Sequence, residues 1–328
     1  MHSFQQVGHP SGSWREIRPD GKTGCALDAP YSFFFHPGSD PSRLLIYFEG
    51  GGACWDWVSC SGMFDSTVQP DEISEYRGIF DFDNPDNPFR DVAVVFVPYC
   101  TGDVHVGDTA RRYGDDPGVR PIRHWGYRNV SAALAWVEEQ GFQPNQVIVA
   151  GASAGSYGAL FYAPRIARLY PSASLVLIGD SGVPLLNGYP GIMYGWGAAP
   201  VLRRLWNNEA VLEAQDLTLQ RAHAVIADAR PDAVLAQITS DRDAVQSAFY
   251  LISGSPKWRA ATYELLDSLT AMLPSFRSFV VDGSDHGLLR TDAFYSYEAD
   301  GVRLRDWVQD LVDERPVVSH RCRECGSD

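Results

Sequence analysis

Val147-Ile148-Val149-Ala150-Gly151-Ala152-Ser153-Ala154-Gly155 is the stretch that decides the fold. Four apolar residues of strand character run into Gly-x-Ser-x-Gly, and a helical pattern starts at Ala154. Strand, tight turn and helix in that order are the context that gives the motif its chemistry. A sharp strand-to-helix turn leaves no room for side chains beside the serine, which is why glycines flank it. Such a turn holds the Ser153 hydroxyl above the sheet, at the positive end of the next helix. In a chain with 30 glycines the motif alone is not rare, and a turn without chemistry is the alternative. Its placement after an apolar strand predicts an α/β-hydrolase fold, with a mostly parallel doubly wound sheet and Ser153 as nucleophile.

Working outward, apolar runs at 44–48, 92–97 and 175–178 read as further buried strands, with 234–238 and 279–281 as later ones. They alternate with helical patterns, the mark of a parallel sheet covered on both faces. Residues 125–140 place Val130, Ala133, Leu134 and Val137 at helical spacing. The helix 154–170 is expected to kink or break at Pro164. Residues 187–233 interrupt the rhythm with a Gly/Pro/aromatic stretch and an amphipathic segment. They read as a helical cap over the carboxyl ends of the strands, inside a single domain spanning 1–328. A surface excursion is the competing reading.

A chain of 328 residues with 45% hydrophobic and 21% charged residues can bury a large core. Its formal charge of −14 argues against nucleic acid or an anionic membrane as partner. No run of eighteen apolar residues predicts a membrane span. The polar start lacks the basic-then-apolar order of a signal peptide, so either the chain stays in the cytoplasm or a leader has been removed. Six cysteines favour an oxidising compartment instead, which leaves localisation open. Nothing in the chain speaks to its oligomeric state. No cofactor is expected. Cys322 and Cys325 with His320 supply three ligands where a structural zinc site needs four, so no metal is expected either.

The run Glu49-Gly50-Gly51-Gly52-Ala53-Cys54-Trp55 follows the strand 44–48. Unobstructed N–H groups there, at Gly51 and Gly52, together with that of Ala154, suit an oxyanion hole. A phosphate loop is excluded because no Lys-Ser/Thr follows the glycines. A serine nucleophile needs an imidazole base, which in this fold follows an acidic residue in the chain. Of His223, His286 and His320, only His286 lies in a loop directly after an apolar strand. His105 and His124 precede the serine and read as structural or substrate-lining. Asp180, Asp241 and Asp243 all stand near strand ends and compete as the acid.

These residues resemble the pectin acetylesterase family, which includes the Notum carboxylesterases. EGGGACW is similar to the family's Gly-Gly-Gly-Trp-Cys element, and Pro98-Tyr99-Cys100-Thr101-Gly102-Asp103 to its Pro-Tyr-Cys-x-x-Asp. GASAGSYG and Asp180-Ser181-Gly182 match two more elements in order, so the likeness runs from about Cys25 to His286. Two departures stand out: Ala53 precedes Cys54 while Trp55 follows it, and Ser156 replaces a glycine. The resemblance implies an α/β-hydrolase that cleaves O-acyl esters, commonly acetyl groups on carbohydrate, with small-molecule or polysaccharide esters as substrates.

Asp243-Ala244-Val245-Gln246 is similar to the family's Asp-x-x-Gln at the triad position, which selects Asp243 and leaves Asp180 and Asp103 to buttress loops. The resemblance also implies disulfides Cys25–Cys100 and Cys54–Cys60. Substrate contacts are expected from Trp55, Tyr194 and Trp196, with Tyr189 and Trp206 as further aromatics, and Trp55 or Trp57 is expected to wall the acyl pocket. A lipase or polyester hydrolase is the second enzyme reading. A silent binding module is the third, and the intact serine, glycine loop and histidine weigh against it.

Overall fold

The computed structural model describes residues 3–8, 14–114, 118–184, 190–207, 213 and 216–322. Tyr189 and Cys325 lie outside the described residues. Strands β1 (Phe4–Gly8), β2 (Arg15–Pro19), β3 (Phe33–His36), β4 (Asp40–Phe48) and β5 (Val92–Val97) come first. A small hairpin, β6 (Thr109–Arg111) and β7 (Ile122–His124), leads to helix α1 (Gly126–Gln140). Then β8 (Gln146–Ala152), α2 (Ala154–Leu169) and β9 (Ser174–Asp180) follow. Helices α3 (Pro190–Gly195), α4 (Ala198–Leu205) and α5 (Leu219–Ala229) precede β10 (Val234–Ser240). The chain continues through α6 (Ala244–Ile252), α7 (Trp258–Met272) and β11 (Phe276–Val281). It ends on the hairpin β12 (Glu298–Ala299) and β13 (Val302–Arg303), helix α8 (Leu304–Val312) and β14 (His320–Arg321).

The main sheet has the order β1-β2-β3-β5-β4-β8-β9-β10-β11-β14. From β5 to β14 every pairing is parallel, while β1, β2 and β3 add an antiparallel edge. Alternate residues of a strand face opposite sides, so a strand buried on both faces reads as an unbroken apolar run. Leu44, Ile46 and Phe48 join the core beneath α1 and α2. Leu45 and Tyr47 join the second core, under Trp307 and Leu311 of α8 and under Ile79 and Phe80 of a loop. The sheet is covered on both faces, one by several helices and the other by one helix and an aromatic loop.

The strong apolar runs form strands where the sequence predicts them, with the same bounds at Val92–Val97 and a few residues longer elsewhere. The antiparallel edge and β14 escape such a reading: Arg15–Pro19 and His320–Arg321 are polar strands recruited by pairing with a neighbour. His320 therefore lies on the sheet edge rather than in a free tail. The expected break at Pro164 is corrected too: α2 runs unbroken from Ala154 to Leu169. Proline removes one intrahelical hydrogen bond at a cost of about 3 kcal/mol. Burial of Phe161, Tyr162 and Ile166 against the sheet offsets it, at roughly 1.5–3 kcal/mol for each large side chain.

The disulfides are those the family resemblance implies. Cys25 pairs with Cys100 across 75 residues, and Cys54 with Cys60 across six. Closing the longer loop removes unfolded-chain entropy worth about 4 kcal/mol. Reduction with dithiothreitol should therefore lower the Tm markedly, and thiol titration of denatured, unreduced protein from an oxidising host should find none of these four sulfurs free. Four extra titratable thiols would contradict both bonds.

Candidate active site

Ser153 occupies the turn between β8 and α2 with φ 56° and ψ −124°, a strained conformation for a residue with a Cβ. The strain is over-determined by backbone hydrogen bonds: the Ser153 N–H donates to Asp180 O (2.8 Å), and Ser156 N–H to Ser153 O (3.0 Å). Beside it runs the glycine loop. A Cβ on Gly50 would stand 2.7 Å from Ser153 Cβ, so only glycine lets the loop approach this closely. Gly52 has φ 75° and no space for a side chain, since Met63 O lies 2.0 Å from where a Cβ would be. Ala53 N–H donates to Met63 O (3.2 Å) and Cys54 N–H to Gly102 O (2.9 Å). Among the described residues no backbone carbonyl takes the N–H of Gly51, Gly52 or Ala154. Gly52 and Ala154 line a cleft together with Ser153.

The loops after β10 and β11 meet on the same side of the sheet. Asp241 N–H donates to Val281 O (2.8 Å), Arg242 N–H to Gly283 O (2.9 Å) and Ala244 N–H to Ser284 O (3.1 Å). These bonds set Asp243 against His286. His286 Nδ1 donates to Asp243 Oδ2 at 2.8 Å, and Asp243 Oδ1 caps α6 by accepting the Gln246 N–H at 2.8 Å. The Asp243 side chain is fully buried, whereas that of His286 keeps 12% of its surface exposed. Asp241, the competing acid, is otherwise engaged. Its Oδ1 accepts from Tyr263 Oη (2.5 Å) and Arg259 Nε (3.1 Å), and its Oδ2 pairs with Arg259 Nη2 at 3.0 Å.

The other aspartates hold loops in place. Asp180 Oδ2 accepts Leu289 N–H (2.9 Å) while Ser181 Oγ accepts Gly287 N–H (3.0 Å), which ties the histidine loop to the end of β9. Burial raises the Asp180 pKa. Asp103 accepts from Thr101 Oγ1, His105 N, Gly107 N and Gly126 N, and burial still pushes it up to about 6 against those bonds. Burial holds His105, His124 and His223 down at about 4, so all three are neutral at pH 7. His223 Nδ1 donates to Leu219 O inside α5, away from the serine.

The cleft is narrow and is lined by Gly52, Ala53, Val104, Ser153, Ala154, Tyr157, Gln246 and Phe249. The expected aromatics fall differently. Trp55 does not line it but packs on Phe249, ring centroids 6.2 Å apart, and Trp57 is 58% exposed away from the lining. Trp196 is buried and donates from Nε1 to Cys54 O (2.7 Å), so it clamps the glycine loop rather than presenting a ring to substrate. Trp206 packs on Phe161, and Tyr194 is exposed at 44%. Tyr157, Gln246 and Phe249 were missed by sequence reasoning. Gln246 and Phe249 stand three and six residues after Asp243, so helical spacing from the acid could have found them.

Comparison with known proteins places this geometry in context. Residues 21–188 match the Pectinacetylesterase family profile, a stretch that includes the glycine loop and Ser153 but ends before Asp243 and His286. The chain is 26% identical over 153 residues to the Palmitoleoyl-protein carboxylesterase notum2 of Xenopus laevis, a match covering 44% of this chain and 30% of that protein. It is 23% identical over 171 residues to the Palmitoleoyl-protein carboxylesterase NOTUM of Homo sapiens, covering 48% and 34%. The matches thus span about a third of these relatives' own length. In three dimensions the fold is similar to the Wnt deacylase Notum from Drosophila, with a TM-score of 0.69 and 15% identity over 98% of this chain and 97% of that one.

Proposed function

Because the chain belongs to the pectinacetylesterase family, we propose that it is a serine carboxylesterase that removes short O-acyl groups, chiefly acetyl, from carbohydrate. The observation that carries this reading is the Asp243–His286 hydrogen bond in a loop tied, through Ser181 and Asp180 at the end of β9, to the turn of Ser153, beside a cleft that Gly52, Ser153 and Ala154 line. In it, Ser153 Oγ attacks the ester carbonyl and His286 Nε2 takes the hydroxyl proton. Asp243 holds Nδ1–H and so fixes the tautomer. The carbonyl oxygen gains negative charge against the N–H groups of Gly51, Gly52 and Ala154. The proton passes to the departing alcohol, leaving an acyl-enzyme, and water then repeats the sequence to release the acid. Among the described residues Ser153 Oγ makes no hydrogen bond to His286, and such bonds often close only when substrate is bound.

The cleft leaves little free space between Ala53, Val104, Tyr157 and Phe249, which supports a short acyl group. Gln246 supports an oxygen-rich alcohol: it lines the cleft, and its buried Oε1 finds no hydrogen-bond partner among the described residues. In this reading helices α3, α4 and α5 belong to a cap within one domain, braced on the glycine loop through Trp196. The disulfides support an oxidising compartment. Among the described residues, no helix is long and apolar enough to cross a membrane.

A longer acyl chain is the second reading, favoured by the apolar Trp55–Phe249 contact at the cleft's rim. Hydrolysis of p-nitrophenyl esters from acetate to octanoate, beside acetylated pectin and xylan, separates the two. Phe249→Ala should open the cleft and move the preferred chain from acetate toward butyrate or beyond, because each methylene accommodated is worth about 1–3 kcal/mol. Trp57→Ala should leave the preference unchanged. The same preference in parent and Phe249→Ala would remove Phe249 as the wall.

A further inference from the structure

Glu49 sits at the root of the glycine loop, and the mechanism above makes no use of its carboxylate. Oε1 accepts from Tyr76 Oη at 2.5 Å, and Oε2 accepts the Tyr99 N–H at 3.1 Å. The backbone carbonyl of Glu49 accepts from His105 Nε2 at 2.8 Å. Tyr76 Oη in turn accepts from Arg290 Nη1 at 3.1 Å, and the Arg290 guanidinium lies over the Tyr76 ring, 5.1 Å from its centroid. Arg290 follows His286 by four residues and receives the Arg77 N–H on its carbonyl (3.2 Å). A continuous hydrogen-bonded path therefore joins the loop that offers the oxyanion donors to the loop that carries the base.

We propose that Glu49 is a positioning residue whose ionised carboxylate, through Tyr76 and Arg290, locks the glycine loop to the histidine loop, so that turnover requires Glu49 ionised. The proposal rests on the roles given above to Ser153, Asp243 and His286. Arg290 and the two donors Tyr76 and Tyr99 N–H favour the charged form, Asp65 opposes it, and neutral Tyr31, Tyr47 and His105 surround it. Burial outweighs the favourable contacts and pushes Glu49 up to about 7. An acid raised in the folded state binds its proton more tightly there than in the unfolded chain. Fold stability therefore falls as pH rises from about 4.5 to about 7, and ionised Glu49 costs stability. A carboxylate held at such a cost has its use in activity, and the glycine loop it anchors is where that use lies.

The test is the pH profile of kcat/KM for p-nitrophenyl acetate with the full chain. Two groups that must both lose a proton, His286 and Glu49, give an acid limb on which activity falls about 100-fold per pH unit, against about 10-fold for one group. Glu49→Gln should reduce the limb to the single-group slope and lower the plateau. Tyr76→Phe cuts the path between the carboxylate and Arg290, so it should likewise reduce the limb to the single-group slope and lower the plateau. That variant tests the proposal even if Glu49→Gln fails to fold. A purely structural Glu49 would change the plateau or Tm without altering the slope. A single-group limb in the parent, or an unchanged limb in Glu49→Gln, overturns the proposal. Retained activity in Ser153→Ala would instead overturn the underlying assignment, whatever the slope.

Discussion

Ser153→Ala should lower kcat for p-nitrophenyl acetate by about 10⁴-fold or more while leaving the thermal unfolding curve in place. Removing the nucleophile of a serine hydrolase abolishes the acyl-enzyme route and leaves only the help of the oxyanion hole and binding. The fold has little to lose. Ser153 Oγ makes no hydrogen bond among the described residues, and alanine keeps the Cβ in the same turn at φ 56°. Turnover measured against uncatalysed hydrolysis, with a circular dichroism melt beside it, reads both halves of the expectation. Activity above about a hundredth of the parent would mean that another residue attacks the ester.

Asp243→Asn should have the next largest effect, a loss of about 10⁴-fold in kcat. Asparagine is nearly the same shape and its Oδ1 can still accept the Gln246 N–H, so the cap of α6, worth about 1 kcal/mol, survives. Its amide NH₂ would face His286 Nδ1 and turn the ring to the tautomer that cannot take the serine proton. Asp241→Asn makes the contrast. It weakens the contacts to Arg259 and Tyr263, so the Tm should fall while kcat stays within a few-fold of the parent. Equal kcat losses in the two variants would show that loop disorder, not the tautomer, limits the rate.

The parts legible from the chain were those whose signal is local. The central strands are buried on both faces and so read as apolar runs, and the Gly-x-Ser-x-Gly turn needs its residues within a nine-residue stretch. Glycines in the oxyanion loop are legible for a similar reason, because they are there to let backbone approach backbone. The polar strands β2 and β14 carry no such run: pairing holds them in the sheet, β2 between its chain neighbours β1 and β3, and β14 against the more distant β11. Pro164 misled because a penalty local to the helix competes with burial that only the packed helix possesses.

The sequence by itself determined the doubly wound sheet and the glycine loop, and it singled out Ser153 as the proposed nucleophile and His286 as the proposed base. The pattern of residues left three aspartates open until the family resemblance selected Asp243, which the tertiary structure sets against His286; that structure also shows that Phe249 and Tyr157, not Trp57 or Trp196, line the cleft. It also decided that Glu49, Tyr76 and Arg290 form one network across 214 residues of chain between the last two. The physical reason is the same throughout. A strand or a turn is set by the torsions and burial of consecutive residues, whereas a side chain's partner is set by which loops the parallel strands bring to one end of the sheet. Asp241 and Asp243 have almost the same neighbours in sequence, yet one meets Arg259 and Tyr263 of α7 and the other meets His286, 43 residues further along the chain.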